Sequence, residues 1–188
     1  RDRIESRGLG DVYKRQPVGF GGSNTSVFKQ DSGEKLYRRS MYTFWKRTSP
    51  PPSMTTFDAP DRETCQVRRA RTNTPLQALV LMNDVQFIEA ARKFAERILR
   101  NGGESDEQRL VYAFRSIVGR RPSTEELEKL LVFQADYRQQ FGQDETAVTQ
   151  FLSAGESPRD ESLDASDLAA WSMLAHLLMN LSETITKG

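Results

Sequence analysis

Four arginines within ten residues, Arg62, Arg68, Arg69 and Arg71, are the side chains of this sequence best suited to hold a ligand. Guanidinium groups can clamp a carboxylate, sulfate or phosphate through paired N–H donors, and Thr72 and Thr74, beside a helix start, would add donors for the same anion. A structural reading stands next to it, because Asp58, Asp61 and Glu63 are near enough in sequence to pair with those arginines internally. Arg38 and Arg39, among Tyr37, Tyr42 and Trp45, suggest an aromatic and basic face for sugars or nucleic acid. In a strand, however, the two arginines point to opposite faces and form no single patch.

The remaining reactive residue types are better explained without chemistry. Cys65 lies among arginines, which can lower a thiol pKa, but no histidine base adjoins it in sequence. His176 sits in an apolar stretch with Asn180 one turn on, the pattern of a core histidine with one nitrogen satisfied. Asp106, Glu107, Glu125 and Glu126 fall in the first turns of expected helices, where the helix dipole favours negative charge. One cysteine and one histidine form no internal disulfide and, without carboxylates or a partner chain, no structural zinc site. No Cys-x-x-Cys-His, phosphate-loop, His-Glu-x-x-His or nucleophile-elbow pattern occurs. We therefore assign no catalytic residue and no metal ligand, and favour a non-enzymatic role while leaving the question open.

The elements that must position these residues divide into an arm and a bundle. Residues 17–73 read as an irregular arm with one or two short β segments: a Gly, Ser and Asn-rich loop, then an aromatic and basic strand over Lys35–Arg47 ended by Pro50, Pro51 and Pro52. Ser53–Arg71 reads as ordered but irregular, with Asp58-Ala59-Pro60 as a turn. From residue 74 to 188 the text is helical. Thr74 to Gln77 forms a capping box with proline at the first helical position, and Ser105 to Gln108 and Ser123 to Glu126 repeat the box. Leu76–Met82 is apolar nearly all round, which predicts a buried short helix, and Asn83-Asp84 breaks it before a longer helix to about Leu99. Gly102-Gly103 and Gly119 end helices, a short helix is expected near Thr146–Leu152, and Gly155–Asp160 reads as a mobile surface loop. The last helix, from Ser166 to about Ile185, carries no charge from Leu168 to Leu181; that stretch would span only about 21 Å, too short for a bilayer. It reads as the central helix of a mainly α fold, an antiparallel helical bundle carrying the arm, with no membrane span.

The chain has 188 residues, 37% hydrophobic and 28% charged, with a mean hydropathy of -0.64, as expected of a polar globular domain. Residues 1–16 are expected to be a disordered sequencing-adapter or cloning scar, since Asp11–Gln16 and Arg1–Arg3 match translations of a transposase adapter. They carry five of the 27 basic and three of the 26 acidic residues, leaving 22 and 23. A nearly neutral remainder makes no general case for nucleic acid as a partner.

From Arg38 to Asp84 the text RRSMYTFWKRTSPPPSMTTFDAPDRETCQVRRARTNTPLQALVLMND resembles the C-terminal domain of large planctomycete-type proteins that carry cytochrome-c-like modules, the PSD-type domain of unknown function 1553. GFGGSNT before it, and GRRPSTEEL and AWSMLAHLLMNLSETITK after it, extend the resemblance over about Val18–Lys187. The resemblance implies an exported, extracytoplasmic protein of which this is a C-terminal fragment, with haem c in a missing N-terminal domain and no cofactor here. Its expected partners are the other domains of the same protein. The expected function is a non-catalytic structural or interaction domain. The alternative is an accessory or catalytic part of a carbohydrate-processing protein, with Arg62, Arg68, Arg69 and Arg71 on an acidic or sulfated glycan.

Overall fold

The computed structural model describes residues 32–33, 50–60, 64–68 and 72–185. Residues 1–16 and the expected strand over Lys35–Arg47 lie outside the described residues. What is described is mainly helical and contains no strand. Eight helices are described, in two compact units, residues 1–84 and 85–188.

In the first unit, α1 spans Pro52–Thr56 and α2 spans Pro75–Asn83. The proline run does not stay extended: Pro51 keeps polyproline angles (φ -59°, ψ 125°), while Pro52 takes the first helical position. A missing N–H costs nothing there, because the first turn has no acceptor for it. The helix α2 is not buried as its composition predicts. Val80 and Leu81 are buried, but Leu76, Leu79 and Met82 are about half exposed. A helix apolar on all sides does not say which side will be covered. The boundary between the two units falls at Asp84, so α2 groups with the first unit.

The second unit holds α3 (Val85–Asn101), α4 (Asp106–Val118), α5 (Thr124–Gln143), α6 (Glu145–Leu152), α7 (Ala165–Met179) and α8 (Ser182–Ile185). The uncharged α7 is its centre. Leu168, Trp171, Leu174, Ala175 and Leu178 are fully buried, packed with Ile98 and Ala95 of α3, Leu110 and Phe114 of α4, Leu130 of α5 and Leu152 of α6. It stops at Asn180 rather than running to residue 185, and α8 is a separate turn.

Two ion-pair clusters set the helix directions. At one end Arg138, late in α5, bonds Asp106 at the start of α4 (2.9 Å) and Asp167 at the start of α7 (2.8 Å). At the other end Arg120, just past α4, bonds Glu126 early in α5 (2.7 Å) and Glu183 just past α7 (2.8 Å). Thus α4 and α7 run in one direction and α5 in the other. No described helix is long and apolar enough to cross a membrane.

Candidate functional site

Asp58 is the anchor of the described part of the arginine-bearing region. It adopts a positive φ of 57°, a backbone shape that Asp tolerates better than most residues. This turn aims its carboxylate at Thr72, whose backbone N–H donates to Oδ2 (2.8 Å) and whose hydroxyl lies 2.9 and 2.8 Å from the two carboxylate oxygens. Gln77, only 2% exposed, completes the knot. Its Nε2 donates to the Thr56 carbonyl (2.9 Å) and to Thr72 Oγ1 (3.0 Å), with Asp58 Oδ2 at 3.4 Å. Its Oε1 accepts from Thr74 N–H (3.2 Å) while Thr74 Oγ1 accepts from Gln77 N–H (3.3 Å), the complete capping box.

The donors that Thr72 and Thr74 were expected to offer an outside anion are therefore engaged within the chain: Thr72 serves the Asp58 carboxylate and Thr74 the cap of α2. Of the four candidate arginines, Arg68 is exposed, and Arg62, Arg69 and Arg71 lie outside the described residues. Cys65 is exposed with a free thiol.

A second cluster, on α3, escaped the sequence reading. Glu89, Arg92 and Glu96 are buried, although all three are charged. They grip residues 152–160. The Glu89 carboxylate accepts from the backbone N–H groups of Glu156 (2.9 Å) and Ser157 (3.0 Å), and Glu96 accepts from that of Asp160 (3.2 Å). Arg92 donates to the carbonyls of Leu152 and Ser157 and to the Ser157 hydroxyl (3.1 Å), and Lys93 donates to the Pro158 carbonyl (2.7 Å). Arg100 pairs with Asp160. The segment expected to be a mobile loop is thus tied along nearly three turns of helix. The spacing of Glu89, Arg92 and Glu96 at i, i+3 and i+7 was the available signal, since it puts all three on one stripe.

The paired carboxylates serve architecture as well. The Arg120 guanidinium, then the backbone N–H of Ser123, holds the Glu126 carboxyl down at about 2, and Arg120 also holds Glu183 below the usual carboxylate range. Those acids in turn push the Arg120 pKa up, and Asp106 followed by Asp167 does the same for Arg138. Ser162, with Arg100 contributing less, lowers Asp160. Ser123 and Glu126 form a full capping box, whereas Ser105 forms half of one, because Gln108 Oε1 accepts from Glu104 N–H instead (3.1 Å). A cleft of about 720 Å³ runs along α4, lined by Gln108, Val111, Tyr112, Arg115, Arg121 and Leu127 among others. His176 is buried in α7, and no group of three or more metal-binding side chains is found among the described residues.

A family model described as a protein of unknown function (DUF1553) matches residues 4–134. The matched span takes in the Asp58 knot, the four arginines and the helices through the middle of α5. No curated protein and no solved structure matches the chain.

Proposed function

Because the chain belongs to the DUF1553 family of proteins of unknown function, we propose that it is a non-catalytic structural or interaction domain at the C-terminal end of a larger, exported, planctomycete-type protein with a cytochrome-c-like module. One observation carries the non-catalytic part: the best-formed polar clusters each join one element to another. Asp58 and Gln77 tie α1 to the start of α2, Glu89, Arg92 and Glu96 tie α3 to residues 152–160, and Arg120 and Arg138 tie helix ends together. A catalytic acid or base must be free to exchange a proton with a substrate. These groups are held to one another, and the resemblance of the flanking motifs supplies the haem-protein and extracytoplasmic setting. Any haem c would sit in that other module.

Reading the genomic frame upstream of the family-matched residues tests the setting. A Cys-x-x-Cys-His module and an export signal are expected; a complete frame without them rules it out. The exposed Arg68 favours a second reading, contact with an acidic or sulfated glycan through Arg62, Arg68, Arg69 and Arg71. Thermal-shift titration with sulfated polysaccharides decides between the two. No shift is expected from a purely architectural domain, and a shift abolished by Arg69→Ala would replace that reading with the glycan one.

A further inference from the structure

We propose that the outer face of α5 is a self-association surface, on which a second copy of this chain docks antiparallel about a two-fold axis. This goes beyond the proposed function and does not depend on it. Along α5, Val132 and Phe133 are 60% and 44% exposed, large apolar side chains turned away from the core. Lys129 and Asp136 flank them, both exposed, and neither has a partner among the described residues. At 100° per residue these four side chains share an arc of about 100°, so they form one stripe.

The stripe is self-complementary in one orientation only. Lys129 and Asp136 stand symmetrically about the peptide bond joining Val132 to Phe133. A second α5 laid antiparallel across that point brings Lys129 opposite the partner's Asp136, twice by symmetry, with Val132 against the partner's Phe133 between the two ion pairs. Glu125 then faces the partner's Gln140, so no like charges meet. An in-register parallel pair would set lysine against lysine and aspartate against aspartate. The charges thus select the antiparallel arrangement.

The area sets the strength. A helix of 20 residues is about 30 Å long and about 10 Å wide, giving a strip of roughly 300 Å² per copy against about 800 Å² in a standard stable interface. The dimer is therefore weak and dissolves on dilution.

Sedimentation velocity of the full chain from about 10 µM to 1 mM tests this. The wild type is expected to shift from monomer to dimer over that range. Lys129→Asp alone and Asp136→Lys alone each place two like-charged pairs in the dimer and should weaken it about tenfold or more. Mixing the two single variants restores opposite charges at both positions, and association should return. A Val132→Ser, Phe133→Ser double variant, which leaves the charges intact, should also lose the dimer. A wild type that stays monomeric throughout, single reversals that associate as well as the wild type, or a mixture no better than its components would each overturn the proposal.

Discussion

Gly155 lies directly against the Glu89 carboxyl group, so close that a Cβ on it would stand 2.6 Å from Glu89 Cδ. Its φ is +97°, a region that side-chain-bearing residues rarely enter. The two constraints have one origin. The chain must turn sharply at residue 155 to present the N–H groups of Glu156 and Ser157 to a carboxylate that reaches it from α3.

Gly155→Ala should therefore destabilise the second unit by about 2 kcal/mol or more, combining backbone strain with overpacking against Glu89. Urea denaturation followed by circular dichroism measures it. A variant as stable as the parent would mean that the Glu89 grip on residues 155–157 is not formed in solution.

The ion-pair cluster at Arg120 predicts an acid limb of stability. Glu126 is held at about 2 against an ordinary value of 4.5, and Glu183 is lowered by the same guanidinium. Between those values the unfolded chain binds more protons than the folded one, so the contribution is complete above about pH 4.5 and is lost as pH falls toward 2. Thermal melts across that window should show a falling Tm, and Glu126→Gln should flatten part of the fall. An unchanged slope in Glu126→Gln would remove this cluster from the account of acid sensitivity.

Gln134 is 1% exposed on α5, and neither amide atom has a hydrogen bond among the described residues. Trp171 Nε1, on the buried helix α7 that α5 packs against, is likewise unbonded. An unsatisfied buried amide costs about 1–3 kcal/mol, whereas an apolar side chain of the same length carries no such penalty. Gln134→Met should be neutral or should raise Tm by a few degrees, on the order of 1 kcal/mol. A loss of more than that would show that the amide has partners in solution and locks α5 to α7.

What was legible in the sequence and what was not divide by range. The caps at Thr74 and Ser123, the left-handed stop at Gly119 and the break at Asp84 each depend on residues within four positions of one another, and local text specifies them. The Asp58 to Thr72 bond spans 14 residues, and Glu89 meets its donors 67 and 68 residues later. The spacing of Glu89, Arg92 and Glu96 puts them on one stripe but does not say what the stripe meets, so residues 155–160 read as a mobile loop. The exposed side of α2 went unread for a related reason, since Leu76, Leu79 and Met82 are apolar like the buried Val80 and Leu81. At the candidate arginines the sequence offers two alternatives, and of the four only Arg68, exposed, lies among the described residues. For the two threonines beside them, groups of the chain itself decide it, the Asp58 carboxylate for Thr72 and Gln77 for Thr74.

The family match ends at residue 134, in the middle of α5, but the folding unit does not. The helix α7 supplies the centre of the second unit, with Leu168, Trp171, Leu174 and Leu178 at 0% exposure. Each such side chain contributes about 1.5–3 kcal/mol on burial. Removing four of them forfeits roughly 6–12 kcal/mol, comparable with the whole net stability of a typical domain. The faces of α3, α4 and α5 that they cover would be left open to water as well. A chain ended after Gln143 keeps every matched residue and the complete α5, yet it should show no cooperative thermal transition and should bind a hydrophobic dye, while a chain ended after Ile185 should melt like the parent. A sharp melt from the shorter chain would mean that the matched part folds without α7, and that the core described around Trp171 is an addition to the domain instead of its centre.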